Sequence, residues 1–388
     1  MEDLLALELT VAEEMQVAHA TVHRGSMNGW TVLVGVCLMG LTTGCGERRP
    51  CGAEPGHGAA AASYGVRRAG ETVAAMQVLG LRWSKDPHDT DVFLLGYPNM
   101  GLAAIASAES PWMGDSSGLH HTYAEDFDGR EATCDGDLRH LLDGRHSELT
   151  ARALSADLDA LLTLTQPTDI YTHAEFDGHP DHAEVHRQVV AALERSGKAV
   201  MLHSTLIHPE GTGDCMPLSA EQWPNPALTD NDPFARFTPA LDVTAPPVPP
   251  CAVRVEGTRW GPLGPPDELV EVPREMQEPD PEHNLKWRAI ARYASQVDCV
   301  RHDDGSYHPS CGYMRAFVKR HEFFWTRRFG EVDRRDAMGP VLVVAAHPDD
   351  EALAAAGIIA SARAAGRRVF AAVVTVGDPR PPSAQPAR

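Results

Sequence analysis

An apolar run that leads directly into a histidine and three acids, VLVVAAHPDDE at 341–351, places the tightest restriction on how this chain can fold. A continuous run of Val, Leu and Ala is typical of a parallel strand that is covered on both faces. Pro348 suits the first turn of a helix, where its missing N–H is not needed, and the helix dipole favours acids there. The segment therefore predicts a buried strand, a helix start and a candidate metal site between them.

A second stretch, DGHPDHAEVHRQVVAALERSG at 177–197, repeats this order of features. It follows a predicted strand and continues as a predicted helix. Further strands are predicted at 30–41, 91–98, 168–176 and 199–209, and helices at 3–23, 67–80, 147–164 and 284–296. The alternation predicts an α/β protein, a Rossmann-like three-layer fold with a mainly parallel sheet and helices on both faces.

The 388 residues are enough for one large α/β domain. We expect residues 1–326 to form its main body, 327–340 a charged linker, and 341–376 a strand–helix–strand unit that completes the same domain. Residues 377–388 are predicted to be a disordered tail. The stretch at 210–281 is rich in Pro, Asp and Glu and predicts long surface loops.

The charge balance narrows the class of partner. The chain has 54 acidic and 34 basic residues, a net charge of −20, which argues against nucleic acid or an anionic membrane as the main partner. No cysteine pair has CxxC spacing, so the eight cysteines do not indicate a zinc ribbon. Cys299 and Cys311 could pair in an oxidising compartment, with free thiols as the alternative.

The apolar run at 30–41, followed by TTGC, resembles the core of a lipoprotein signal that ends at Cys45. It lies thirty residues into the chain, has little basic charge before it and is too short to span a membrane, so we interpret it as a buried strand. We therefore expect a cytoplasmic protein without membrane insertion, a secreted or lipoprotein form being the alternative.

Both histidine motifs follow predicted strands, and open parallel sheets bind ligands just beyond the carboxyl ends of their strands. If the two strands are neighbours, His347, Asp350 and His182 can converge on one ion. Two imidazoles and one carboxylate are a ligand set of catalytic Zn²⁺, although Fe²⁺ or another divalent metal would also fit. His186, one helical turn after His182, is an alternative ligand, but we favour a partly exposed surface position for it.

The remaining polar residues of the motifs have catalytic interpretations. Asp349 could act as general base on a water that the metal activates. His179 could donate to the developing oxyanion or protonate the leaving amine, and Asp181 could orient an imidazole. Either motif alone could instead be an ordinary helix cap; the presence of two with the same order favours the metal site.

AHPDDE after an apolar strand, together with HPDH, resembles the PIG-L/LmbE family of metal-dependent N-deacetylases. Weaker matches in the family's order are Arg68-Ala-Gly-Glu71, FLLGYP (93–98), THAEFDGHPDH (172–182), and Lys286 leading to Ser295-Gln296. The resemblance implies a Rossmann-like sheet and hydrolysis of an acetamide, usually on a glucosamine ring.

Position by position, the resemblance implies distinct roles for the motif residues. His347, Asp350 and His182 would bind the metal, Asp349 would be the base, and His179 would stabilise the tetrahedral intermediate. Arg68 would bind substrate, with a charge on the helix surface as the alternative. Asn99 stands where the family usually has Asp, which weakens or alters a polar role there.

The order of the motifs departs from the family, in which AHPDDE opens the domain. One explanation is circular permutation, with the C-terminal strand inserted beside the strand at 30–41. The other is a broken tandem that is inactive, or that lends its tail to a neighbouring molecule in an oligomer. We favour permutation, because both halves of the site survive intact.

We therefore predict a zinc-dependent amidohydrolase that deacetylates a small-molecule substrate, an N-acetylglucosamine-type sugar or its conjugate. The alternatives are another metal hydrolase, such as a phosphoesterase, and a catalytically inactive carbohydrate-binding homologue.

Overall fold

The strands lie where the apolar runs predict them. A computed structural model describes residues 59–112, 121–123, 135–208, 266–278, 280, 282–297, 314, 317–318, 321–331 and 338–376, all within one compact unit, Pro50–Arg388. These residues contain seven strands: β1 (Val92–Tyr97), β2 (Asp169–His173), β3 (Val200–Thr205), β4 (Glu268–Glu271), β5 (His321–Phe329), β6 (Val341–Ala345) and β7 (Val369–Thr375).

The helices of the described residues alternate with these strands. They are α1 (Ala59–Val78), α2 (Leu102–Ile105), α3 (Leu138–Asp143), α4 (Ala151–Thr165), α5 (Pro180–Ser196), α6 (Leu285–Ile290) and α7 (Asp350–Ala364), with one 3₁₀ turn at Arg274–Met276. None of the described helices is long and apolar enough to cross a membrane.

The seven strands form one mixed, mostly parallel sheet in the order β1-β7-β6-β2-β3-β5-β4. The first five strands in this order are parallel to one another, whereas β5 is antiparallel to both β3 and β4. When counting begins at β6, the parallel strands read third, second, first, fourth and fifth across the sheet. This is the doubly wound order of Rossmann-like folds, so a chain that begins at a different point still builds the same sheet.

The core consists of two apolar layers, one on each face of the sheet. Val341 and Val343 of β6 pack into a cluster with α1, α6 and α7, whereas Leu342 and Val344 pack into a second cluster with α2 to α5. Successive side chains of a strand point to opposite faces, so a strand with helices on both sides must be apolar throughout. The predicted α/β class and three-layer arrangement are confirmed.

Strand β5 ends at the same edge of the sheet at which β6 begins. Phe329 pairs with Val200 at the start of β3, and Asp169 at the start of β2 pairs with both Met201 and Val341. The end of β5 and the start of β6 therefore lie at the same edge of the sheet, three strand spacings or roughly 14 Å apart. A short connection is enough to bring the C-terminal segment into the middle of the sheet.

Three sequence predictions about this region need correction. The linker predicted at 327–340 begins too early, because β5 continues to Phe329 as a ladder with β3. The loop prediction for 210–281 misses β4, a short strand with alternating exposure that pairs with β5. The predicted helix at 284–296 ends earlier, at Ile290.

The predicted position of β6 beside a strand at 30–41 is also wrong, because both edges of β6 are paired, with β2 and with β7. The strand at 30–41 itself, the helix at 3–23, the Cys299–Cys311 pair and the tail at 377–388 lie outside the described residues.

Candidate active site

The two histidine motifs meet at the carboxyl ends of β6 and β2. These strands are adjacent in the sheet, and between them the strand order reverses, which is where open α/β sheets bind ligands. His347 is the second residue after β6, whereas His182 lies in the first turn of α5, the helix that follows β2. Helix α7 begins at Asp350, not at Pro348 as the sequence predicts, so Pro348 lies in the turn between strand and helix.

Three of the predicted ligand atoms form a tight triangle. His182 Nε2 lies 3.0 Å from His347 Nδ1 and 3.1 Å from Asp350 Oδ2, and the last two atoms are 3.3 Å apart. Tetrahedral ligands at about 2.0–2.2 Å from a metal are separated by about 3.3–3.6 Å. The triangle therefore fits a divalent metal after a displacement of a few tenths of an ångström.

Each of the two imidazoles is held from behind by a carboxylate. Asp181 Oδ2 lies 3.1 Å from His347 Nε2, and Asp177 Oδ1 lies 3.1 Å from His182 Nδ1. Asp181 is fixed in turn by the backbone N–H groups of Met100 and Leu102, at 2.5 and 3.3 Å. A carboxylate on the outer nitrogen of an imidazole sets its tautomer and directs the other nitrogen towards a metal.

The charges around the triangle favour a cation at its centre. Burial lowers the pKa of His182, but the adjacent Asp350 and Asp177 outweigh burial and raise it to about 10. Burial likewise opposes ionisation of Asp350, yet His182 and His173 hold the pKa of this carboxyl well below its usual range. Because a divalent ion supplies the positive charge that these carboxylates stabilise, the donor set and its surroundings fit a metal.

His179 lies next to the triangle, with its ring 4.4 Å from that of His347. Its Nδ1 accepts the N–H of Asp181 at 3.2 Å, which caps α5. Burial, followed by the neighbouring imidazoles, lowers the pKa of His179. A neutral ring that accepts at Nδ1 carries its proton on Nε2, so this nitrogen is a hydrogen-bond donor.

Asp349 adopts a backbone conformation that is rare for a residue with a side chain. Its φ is +116° and its ψ is −34°, and although it is the N-cap residue of α7, its carboxylate makes no capping bond. Such conformations are costly and concentrate at functional sites. Burial raises the pKa of Asp349 to about 7, with Arg68 acting in the opposite direction.

Arg68 of α1 holds the Asp349 turn in place. One of its terminal nitrogens donates to the Pro348 carbonyl and, at 3.0 Å, to Asp349 Oδ2. The residue is only 7% exposed, so the interpretation of Arg68 as a helix-surface charge is wrong. Its predicted contact with substrate remains a prediction.

Sequence reasoning missed several polar residues that line the same site. His173 at the end of β2 stacks on His182 at 3.9 Å, and its Nε2 accepts the N–H of Ala346 at 2.8 Å. His208, just after β3, lies with its ring 5.1 Å from that of His182. Because these histidines lie at or just beyond the ends of parallel strands, the strand-end rule that selected the two motifs could have found them.

Glu351 holds the backbone of the turn at Asp349. Its carboxylate accepts the hydroxyl of Tyr293, and its second oxygen accepts the N–H of Asp349 at 3.3 Å. Burial raises the pKa of Glu351 to about 8. Glu351 thus receives the backbone N–H that the strained Asp349 presents.

Two of the weaker family matches outside the motifs, Lys286 and Ser295, connect elements of the fold. Lys286 Nζ donates to Glu322 Oε1 at 2.7 Å in a fully buried pair, which links α6 to β5. The backbone N–H of Ser295 donates to Glu71 of α1 at 2.8 Å. His186 is half-buried, and its Nδ1 donates to the carbonyl of His173 at 2.8 Å, a hydrogen bond that occupies this nitrogen.

Comparison with known families gives one result. The sequence profile described as PIG-L, GlcNAc-PI de-N-acetylase, matches residues 13–193 and 342–388, more than half of the chain. The match in two segments is consistent with a permuted arrangement. Comparisons with curated proteins and with solved structures give no match.

Proposed function

The chain belongs to the PIG-L family of GlcNAc-PI de-N-acetylases, a family of hydrolytic deacetylases, and from this premise we propose that it is a metal-dependent N-deacetylase. Its substrate would be the acetamide of an N-acetylglucosamine-type sugar or a conjugate of one. The products would be acetate and the free amino sugar.

The observation that carries this proposal is the triangle formed by His182, His347 and Asp350 at the switch point of the sheet. The first of these residues comes from the internal motif and the other two from the C-terminal motif of the same chain. An inactive relic would have no need to keep both motifs, their supporting carboxylates and a strained turn in one place. The geometry therefore favours an enzyme over a carbohydrate-binding homologue.

Zn²⁺, or another divalent metal such as Fe²⁺, would be held by these three residues and would supply Lewis acidity, polarising the acyl oxygen and lowering the pKa of a water molecule. Asp181 and Asp177 would keep the two imidazoles in the ligating tautomer.

The residues beside the triangle divide the proton chemistry. Asp349 takes the proton of the attacking water, and its carboxylate is available because it does not cap α7. Arg68 fixes the position of that carboxylate. His179 Nε2–H donates to the oxyanion of the tetrahedral intermediate, where a preorganised donor has its largest effect.

The proposal is tested by acetate release from N-acetylglucosaminides with metal-loaded protein. His347→Ala should lose acetate release and the metal that is bound at the triangle, because the change removes one corner of the triangle. His283→Ala is the matched control: His283 is an exposed histidine, paired with Asp280, and its loss should leave both properties unchanged.

Two results would contradict the proposal. Acetate release that survives in the His347→Ala variant would show that the C-terminal motif is not part of the site. Metal-loaded wild type that releases no acetate from any N-acetylated amino sugar, but cleaves phosphate esters, would favour the phosphoesterase alternative.

A further inference from the structure

A second cluster of histidine and aspartate lies away from the candidate active site, around α3. It contains Asp135 and Asp137 before the helix, His140 within it and His146 after it. Asp137 pairs with Leu94 of β1, a strand separated from β6 by β7. The cluster therefore shares no element with the two histidine motifs.

Three ligand atoms of this cluster face one another. Asp135 Oδ1 lies 3.6 Å from His146 Nε2 and 3.7 Å from His140 Nδ1, and all three atoms lie within 4.8 Å of one another. The two distances from Asp135 lie at or just above the roughly 3.3–3.6 Å between ligands of a tetrahedral metal, and the two imidazole nitrogens are at most 4.8 Å apart. A small inward movement would give all three atoms bonding distances to one ion.

His146 is oriented as metal-binding histidines usually are. Its Nδ1 lies 2.5 Å from Asp137 Oδ2, which leaves Nε2 directed at Asp135. Asp137 is fully buried and also accepts from the Thr122 hydroxyl and from the N–H of His140, so its position is fixed. This is the carboxylate–histidine arrangement that His347 and Asp181 show in the first site.

His140 provides an independent indication of a ligand. Its Nδ1 is buried and makes no hydrogen bond within the described residues, since the 3.7 Å to Asp135 is too long for one. A buried polar atom without a partner is costly and calls for an explanation. An ion shared with Asp135 and His146 would satisfy it.

We propose that Asp135, His140 and His146 bind a second divalent cation of the zinc class. Two imidazole nitrogens and one carboxylate oxygen match Zn²⁺ and other late transition metals, whereas Mg²⁺ and Ca²⁺ prefer oxygen ligands. The ion would be structural, because it ties the residues before α3 to those after it. The ring of His121, stacked on His146 at 4.7 Å, would support one ligand from the side.

Metal content of the full chain tests this proposal. Protein stripped with a chelator, reloaded with Zn²⁺ and dialysed should hold two equivalents per chain. The His146→Gln and His140→Gln variants should each hold one equivalent. The His347→Ala variant should also hold one, but should lose acetate release, which the cluster variants retain.

Asp135→Asn gives a milder variant if either histidine change impairs folding. Its side chain is 42% exposed, so the change removes a ligand with little effect on packing. His283→Gln is the control, because it also removes an imidazole paired with an aspartate, but in an isolated exposed pair. It should bind as much zinc as the wild type.

The thermal response to zinc separates this site from the first. In the His347→Ala background, added Zn²⁺ should raise the melting temperature, and a further His146→Gln change should abolish the rise. Equal zinc content in wild type, His146→Gln and Asp135→Asn would overturn the second site and leave the proposed deacetylase untouched. Two equivalents of zinc in a wild-type protein that releases no acetate would support the second site and contradict the proposed deacetylase.

Discussion

The two histidine motifs have the same order of residue types but start their helices at different points. In HPDH, His179 is the N-cap residue of α5, with φ −84° and ψ 127°, and its side chain caps the helix. In HPDDE the N-cap residue is Asp349, two positions further along, with φ +116° and no capping bond. His347, the first residue of its motif, lies just beyond a strand, whereas His182, the fourth residue of its motif, lies on a helix, so the two ligands approach from different elements.

The comparison shows where the chain keeps strain. At HPDH the local rules for a helix start are satisfied, and Asp181 remains available to orient His347. At HPDDE the Asp349 carboxylate is withheld from the cap and turned towards Arg68. The conformation persists because Arg68 and Glu351 hold the turn, as expected where a carboxylate serves chemistry rather than helix stability.

The largest expected effect is at the strained turn. Asp349→Asn should lower kcat by about 10²–10⁴-fold while bound metal is retained, because the change removes a base and not a ligand. Asp350→Asn should instead lose the metal that is bound at the triangle, because the change removes a ligand. Kinetics and metal content of the same preparations check both, and loss of metal in Asp349→Asn would show that the two acids have been assigned the wrong roles.

Loss of a side chain that orients a metal ligand should have a smaller effect than loss of the base. Asp181→Asn should weaken metal affinity by about 10–100-fold, since the side chain orients His347 without binding the ion. Competition with a chelator measures the affinity. Unchanged affinity would mean that the contact between Asp181 and His347 serves only to hold α5.

Arg68→Lys should lower kcat by on the order of 10-fold, because an ammonium replaces the guanidinium that holds both Pro348 and Asp349. Arg67→Lys is the adjacent control, since Arg67 is exposed and pairs with Glu71 rather than with Asp349. Steady-state kinetics should give a lower kcat for Arg68→Lys than for Arg67→Lys. Equal kcat values would show that Arg68 does not position Asp349.

The smallest effect concerns stability and tests the strain itself. At position 349, Gly should be more stable than Ala by about 1–3 kcal/mol, because only Gly tolerates the observed φ at little cost. At position 179, where φ is ordinary, the same pair should differ by less than about 1 kcal/mol. Urea unfolding of the four variants measures both differences, and equal values at the two positions would contradict the comparison.

The sequence predicted the parts of the fold that have a strong apolar signal. Strands β6 and β7 are buried on both faces, so their continuous runs of Val and Ala were readable without a structure. Strand β4 and the end of β5 were missed because they are only partly covered: Leu269 is exposed, as are Arg327 and Arg328. Charged residues in such strands look like a linker in the sequence.

For the candidate site, the motifs predicted which residues converge but not how each is supported. The triangle follows from the strand ends and the residue types. The φ of Asp349 and the contact between Arg68 and Asp349 depend instead on how α1 packs against the turn before α7. The cluster of Asp135, His140 and His146 has no motif spacing at all. Its members converge because the chain returns after the short helix α3, which brings His146 to Asp137 beside β1.

A crystal structure of the zinc-loaded protein with anomalous scattering data would show whether the two motifs of one chain share an ion. We expect an anomalous peak within about 2.0–2.2 Å of His347 Nδ1, His182 Nε2 and an oxygen of Asp350, all from one chain. A peak bound by only one of the two motifs, or by motifs from two different chains, would contradict this expectation.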